Sequence, residues 1–333
     1  MAGGQERILR GRIRSVQATK KITRAMELIA ASRIVKAQQR VHAAVPYSER
    51  ITAVVKDLAA AGGEVRSPLL AGHGPVRNIA RKCYVAIVAD RGLCGGYNAG
   101  VLRATEGEIK SDVLAGKGYS IVAVGRKAEG YFRFRGYKMD AVLNGFSDSP
   151  TYENARQIGQ KVVDMFLAGE VDSVELIYTR FISAGSQEVV IRPLVPLERE
   201  IASAGGAGHS GRPAEQSSGA EKVDYEIEPD PGVVLESLLP RYIEARVYAA
   251  LLNAAASEHA FRQRAMKSAT DNAEELIKTV SRIMNRARQD SITTEIMEIV
   301  SGAEALSGDR KDGEPTARYF DLVNANAPTI ERV

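Results

Sequence analysis

Small and apolar residues recur at alternating steps of three and four along the C-terminal part of the chain. Met266, Ala269, Ala273, Leu276, Val280, Ile283 and Ala287 form one row, with Ile277 and Met284 widening it. A seven-residue repeat of this kind lays one stripe of a helix against a partner helix. After a polar interruption the row resumes one position later with Ile292, Ile296, Ile299, Ala303 and Leu306, and Ala245, Tyr248, Leu252 and Ala255 carry it upstream. The pattern predicts one helix from Leu235 to Leu306, 72 residues, or roughly 110 Å at the α-helical rise. A chain of 333 residues cannot bury such a rod alone, so the rod reaches a partner. Asp230-Pro231 offers a cap followed by proline in the first turn, and Pro240 implies either a start near Ser237 or a bend.

A second helical pattern runs from Gln5 to Val45. Leu9, Ile13, Val16, Ile22, Met26, Ile29 and Ala30 begin its stripe; Ile34, Ala37, Val41 and Ala44 continue it, with Lys20, Lys21 and Arg24 as a basic interruption. Pro46 predicts a kink, with helix resuming from Ser48 to Ala60. Neither long helix can bury its seam by itself, so the two are expected to wrap around each other, antiparallel and left-handed. With about 40 residues before Pro46 to cover the longer helix, roughly 30 residues of it are left without a partner, near 45 Å.

Between them the period changes. Gly62 to Asn78 reads as a linker. Cys83 to Asp90 and Ser120 to Gly125 are continuous apolar runs typical of buried strands, and Val174 to Ser183 and Gln187 to Leu197 form a strand pair joined by a Gly-containing turn. Tyr97 to Leu114, Arg126 to Phe134 and Tyr152 to Leu167 are helical between them. The fold class is therefore α/β: a long antiparallel coiled coil of the N- and C-terminal helices with an inserted Rossmann-like α/β domain. The expected domains are residues 1–60, 61–230, 231–306 and a disordered polar tail at 307–333. Within the second, Glu200 to Lys222 reads as a mobile Gly/Ala/Ser-rich loop, and Val223 to Glu228 as a short strand.

Composition changes this picture little. Net charge is +4, but Met1 to Val45 holds ten Lys or Arg against two Glu. A transit peptide is disfavoured because the helical pattern runs through that segment without a break. Without aromatic interleaving or a helix-turn-helix pattern, nucleic acid is not an expected partner. Cys83 and Cys94 form neither a disulfide framework nor a metal set, which suits a reducing compartment. The longest uncharged apolar run, Val247 to Ala256, is too short to span a bilayer.

Candidate chemistry is sparse. The Gly-rich turn Asp90 to Asn98 (DRGLCGGYN) follows a strand and precedes a helix, where a phosphate would be cradled. It has neither the G-x-x-x-x-G-K-[ST] nor the G-x-G-x-x-G spacing, so tight turn geometry explains it better. His42, His73, His209 and His259 have no metal-ligand spacing. No cofactor, metal site or catalytic site is expected. The row Lys278, Arg282, Arg286, Gln289 and Thr293 reads as a solvated face unless a partner surrounds it. The alternative function is a nucleotide-binding α/β protein with a helical oligomerisation stalk.

Four segments together resemble the gamma subunit of F-type ATP synthases: Arg12 to Lys36 (RIRSVQATKKITRAMELIAASRIVK), Asp90 to Asn98, Asp224 to Pro231 (DYEIEPDP), and Leu238 to Leu306 with SEHAFRQRAMKSATDN and RARQDSITTEIMEIVSGAEAL. The resemblance implies a central rotor shaft. Its partners would be the alpha and beta subunits of the catalytic hexamer, the epsilon subunit and the membrane c-ring, at the cytoplasmic face of the plasma membrane as a peripheral subunit. It implies rotor–stator coupling residues at Met26, Arg262, Gln289 and Thr293, and c-ring contacts at Tyr225 and Glu228. Hydrolysis and synthesis would occur in the beta subunits. The loop at 200–222 and the tail beyond Leu306 depart from the family pattern. The match beginning close to Met1 points to a bacterial rather than an organellar chain.

Overall fold

The computed structural model describes residues 2–61, 67–72, 80–197 and 230–307. The element order is α1 (Ala2–Ala61), α2 (Pro68–Ala71), β1 (Arg81–Ile87), α3 (Tyr97–Leu114), β2 (Gly118–Val124), α4 (Arg126–Phe134), β3 (Ala141–Leu143), α5 (Tyr152–Leu167), β4 (Ser173–Phe181), β5 (Gln187–Val195) and α6 (Pro231–Ser307). Two compact units result: residues 1–18 with 273–333, and residues 19–272. The two long helices pack together. The predicted loop at 200–222, the strand at 223–228, the tail beyond 307 and most of the 62–78 linker lie outside the described residues.

Along α1 one row of shielded positions runs through Glu6, Leu9, Ile13, Val16, Lys20, Thr23, Glu27, Ala30, Ile34, Ala37, Val41, Ala44, Ser48, Ile51, Val55 and Leu58. The steps alternate three and four without a break, a continuous heptad row. Two expectations are corrected. The row does not pause at the basic turn but passes through Lys20, Thr23 and Glu27. Ile22 and Ile29, assigned above to the stripe, are 61% and 54% exposed. As expected, the helix runs on past Pro46, which faces solvent, to Ala61. One lost backbone donor does not end a helix whose seam holds it on both sides, at Val41 and Ala44 before and Ser48 and Ile51 after.

On α6 the row is Met266, Thr270, Ala273, Ile277, Val280, Met284, Ala287 and Ser291. It shares Met266, Ala273, Val280 and Ala287 with the predicted seam. The positions between them are Thr270, Ile277 and Met284; Leu276 and Ile283 are exposed instead. Beyond Ser291 every residue from Ile292 to Leu306 is exposed. Among the described residues this exposed stretch is about half the predicted length. The start of α6 is Pro231, not Ser237: Asp230 Oδ2 accepts from Gly232 N at 2.8 Å and Val233 N at 3.3 Å, satisfying donors a helix start leaves open.

A polar layer crosses the seam. The Thr270 hydroxyl stands 2.8 Å from Thr23 Oγ1, and the Thr23 hydroxyl donates to Lys20 O at 3.1 Å. Next to it Glu27 pairs with Arg24 at 2.9 Å. Farther along, Arg33 on α1 and His259 on α6 both reach Asp148. The helices therefore run antiparallel.

The sheet order is β3-β2-β1-β4-β5. Strands β1, β2, β3 and β4 are parallel, while β5 pairs antiparallel with β4 from Phe181↔Gln187 to Val174↔Val195. Both sheet faces are covered, so the strands read as unbroken apolar runs. Cys83, Val85 and Ile87 of β1 pack toward α5, α6 and the end of α1; Tyr84 and Ala86 pack toward α3 and α4. Gly125 ends β2 at φ +97, where a Cβ would stand 2.2 Å from Val88 O, so only glycine fits. The three-residue β3 and the short α2 were not predicted; neither is long enough to show a period.

Candidate functional site

Strand order reverses between β1 and β4, and an open α/β sheet ordinarily binds its ligand beyond the C-terminal ends of such strands. Here α6 fills that place. Ser257 Oγ donates to Thr179 O at 3.0 Å, and Asn253 Oδ1 accepts from Phe181 N at 3.3 Å. The Phe261 ring stands 5.9 Å from that of Tyr97, and a Cβ on Gly95 would lie 3.6 Å from the Ala265 methyl. The Gly-rich turn is a seat for the helix. It is small-residued because a helix crosses it closely.

The turn is fixed by Asp90. Its carboxylate accepts from Arg126 N at 3.0 Å, Gly145 N at 2.9 Å and Ser147 N at 3.0 Å, and its own N–H donates to Ser147 Oγ at 2.9 Å. Burial alone pushes this carboxyl up, but the backbone donors outweigh it and hold the group below the usual carboxylate range. Asn98 Oδ1 accepts from Ala89 N at 2.9 Å, closing the turn from the other side.

Against this seat α6 is buried from Ala250 to Ala260, with Asn253 half-buried, and the small residues Ala254, Ala255, Ala256 and Ser257 allow close approach. Three polar residues interrupt the apolar packing. Glu258 is 1% exposed and pairs with Arg262 at 2.7 Å; Arg262 Nη2 also reaches Gly92 O at 3.4 Å. Burial raises the Glu258 carboxyl, with Arg262 opposing it. His259 Nε2 faces Asp148 O at 3.1 Å while Nδ1 is buried without a partner. Burial lowers this imidazole, and Arg262 and Arg33 lower it further. On the far side Arg264 stacks 4.7 Å over Phe261 and donates to Ala184 O at 2.9 Å, Gly185 O at 3.0 Å and Gln187 Oε1, gripping the β4–β5 hairpin.

The expected site residues are distributed as follows. Met26 is half-buried on α1 beside the polar layer, between Thr23 and Glu27. Arg262 is inside the seat just described. In the other unit, Gln289 and Thr293 are exposed one turn apart on α6, in line with the exposed Lys278, Arg282 and Arg286. Tyr225 and Glu228 lie outside the described residues. Sequence reasoning missed Glu258, Asp148, Arg33 and Arg264. A signal existed for the first: Glu258 and Arg262 are four apart within an otherwise apolar run, the spacing of a helical ion pair. Nothing local marks Arg33 or Asp148, whose encounter is long-range.

A cleft of about 890 Å³ lies between α1, α5 and α6, lined by Tyr47, Tyr152, Arg156, Arg241, Glu244 and Tyr248 among others, and by none of the Gly-rich turn. Among the described residues no group of three or more His, Cys, Asp or Glu is placed to hold a metal, and no helix is long and apolar enough to cross a membrane. Cys83 and Cys94 are buried and free; burial pushes the Cys83 thiol up to about 12. Cys83 sits within β1 rather than at its edge.

Comparison with known proteins identifies relatives over nearly the whole chain. The ATP synthase family model matches residues 5–306. The chain is 48% identical to the ATP synthase gamma chain of Frankia casuarinae over 308 residues, 91% of this chain and 98% of that one. It is 42% identical to that of Heliobacterium modesticaldum over 302 residues, 90% and 98% of the two chains. Among solved structures, a chain of the Euglena gracilis mitochondrial ATP synthase (OSCP/F1/c-ring) superposes with a TM-score of 0.62 at 18% identity, covering 95% of this chain and 99% of that one. A chain of the Tetrahymena thermophila central stalk and c-ring gives 0.52 at 22% identity, covering 74% and 99%. With a heptad-paired helix couple, a sheet whose ligand crevice is filled by its own helix, and this coverage, the chain belongs to the ATP synthase gamma-chain family.

Proposed function

We propose that this chain is the central rotor shaft of an F-type ATP synthase. It has no catalytic site of its own and transmits rotation between a membrane c-ring and the beta-subunit catalytic sites. One observation carries the reading: Ile292, Ile296, Met297, Ile299 and Val300 are exposed at the end of α6, with none of the described residues covering them. Apolar residues disposed around an uncovered helix need an external sleeve, and a ring of alpha and beta subunits is such a sleeve. The α/β part, with its ligand crevice closed by α6, has no evident use as a nucleotide enzyme, and serves instead as a body for epsilon and the c-ring to grip. The complex works at the cytoplasmic face of the plasma membrane, with this chain peripheral to it.

Coupling is then a population shift: an asymmetric shaft contacts each beta subunit differently and biases its conformational equilibrium. Met26, Arg262, Gln289 and Thr293 are the proposed coupling residues, and Tyr225 and Glu228 the proposed c-ring contacts. Arg262 is held in the seat, where its guanidinium reaches Gly92 O. The proposed division of the chain remains a helix at 1–60, an α/β domain at 61–230, a helix at 231–306 and a tail at 307–333.

The test is reconstitution. A complex lacking this chain, re-assembled with it in inverted vesicles, is expected to regain ATP-driven proton pumping; Met26→Lys, which puts a cation beside the polar layer, is expected to leave hydrolysis largely present while pumping per ATP falls. Micromolar ATP binding by the isolated chain, or unchanged pumping without it, would sink the shaft reading.

A further inference from the structure

We infer that Asp148 is a positioning residue for rotary coupling, locking the α/β domain to both long helices at one point; the inference rests on the shaft reading above. The loop between β3 and α5 is fastened to the sheet at its base, where Gly145 N and Ser147 N donate to Asp90 at 2.9 and 3.0 Å. From this fixed base Asp148 meets α1 and α6 together. Its Oδ2 accepts from Arg33 Nη1 at 2.7 Å, and its carbonyl faces His259 Nε2 at 3.1 Å. The next residue, Ser149, accepts on Oγ from Arg40 Nη1 at 2.8 Å.

Arg33 and Arg40 are one heptad apart on α1, so their attachments are separated by two turns, about 10 Å along the helix. Two anchors at that separation resist both sliding and rolling of α1 against the domain. His259 does the same for α6 from a buried position in the seat.

Magnitude separates this role from a structural one. The Arg33 and Asp148 side chains are 45% and 30% exposed, and an ion pair so open to water adds little to equilibrium stability. By contrast, the Glu258–Arg262 pair is closed off from water, and breaking it would unfold the seat. Removing the Asp148 carboxylate therefore leaves a folded, assembled chain with one restraint fewer between α1 and the domain. Such a shaft turns freely without load, and slips when it must work against a proton gradient.

The experiment uses the whole complex in inverted vesicles, comparing Asp148→Asn, Arg33→Gln and the swap Arg33→Asp/Asp148→Arg with the parent. Uncoupler-treated hydrolysis, proton pumping per ATP hydrolysed and the thermal midpoint are measured together. Each single variant is expected to keep hydrolysis and thermal midpoint near the parent while pumping per ATP drops about two- to fivefold, in the usual range for residues that tune coupling. The swap restores it. Pumping per ATP equal to the parent in both single variants overturns the inference. So does a parallel loss of assembly, midpoint and hydrolysis with an unchanged pumping ratio, which marks Asp148 as merely structural. If the parent chain itself fails to restore pumping to a complex lacking it, the shaft reading falls, and this inference with it.

Discussion

Asp90 and His259 each make stability fall with acidification, in two successive pH windows. The folded-state pKa of Asp90 is depressed, so its stabilisation is complete above its unfolded value near pH 4 and is lost as pH falls through the lower folded value. The imidazole of His259 is also depressed. Below its unfolded value of about 6.5 the unfolded chain binds more protons than the folded one, and stability declines with falling pH. His259→Gln is thus expected to flatten the loss of stability that sets in below about pH 6.5 in denaturant titrations. Asp90→Ala is expected to cost about 2–4 kcal/mol at neutral pH, since three backbone donors lose a charged acceptor. An unchanged denaturation midpoint would refute that. For Glu258→Gln, which leaves the Arg262 guanidinium without its counter-charge, the expected loss is about 3–5 kcal/mol.

At the scale of elements, the polar layer at Thr23 and Thr270 interrupts an otherwise apolar seam, as a polar residue at a core position can fix register at a cost in stability. Thr270→Val removes one hydroxyl from a buried pair and is expected to cost about 1 kcal/mol. The double variant Thr23→Val/Thr270→Val should be less destabilised than the sum of the singles. Calorimetry of all three reads this coupling; strict additivity would mean that the 2.8 Å contact contributes nothing. The layer also explains why apolarity alone misplaces the stripe. Ile22 and Ile29 have the character of seam residues and Lys20, Thr23 and Glu27 do not, yet a heptad row keeps its phase through polar members as long as the partner supplies a matching one. On α6 the doublets Leu276–Ile277 and Ile283–Met284 fit either phase equally, so the apolar pattern leaves the choice open.

At the scale of the whole molecule, the exposed apolar end of α6 and the filled crevice of the sheet point the same way, toward a part that works only inside an assembly. Replacing Ile292, Ile296 and Ile299 with Gln is expected to change the chain's own stability by no more than about 0.5 kcal/mol per site, as for other exposed positions. The same triple variant is expected to weaken retention of the chain by the alpha/beta ring, measured by co-purification after salt washes. Retention equal to the parent would separate these residues from any sleeve.

What the sequence determined by itself is what depends on neighbours along the chain. Periods of 3.6 and 2 report local backbone geometry, so Tyr97–Leu114, Arg126–Phe134 and Tyr152–Leu167 emerged as helices with the bounds the structure has. The cap at Asp230 was equally legible, because the residues involved are adjacent. The family resemblance was legible too, since its motifs are contiguous. What only the tertiary structure decided is what depends on residues far apart meeting. Asp148 lies 115 positions from Arg33 and 111 from His259, and no local pattern encodes either encounter. The Gly-rich turn could be read as a phosphate cradle or a tight turn until α6 was found lying in it. The phase of the long seam was settled by which of two adjacent apolar residues faces the other helix, a fact held by neither helix alone.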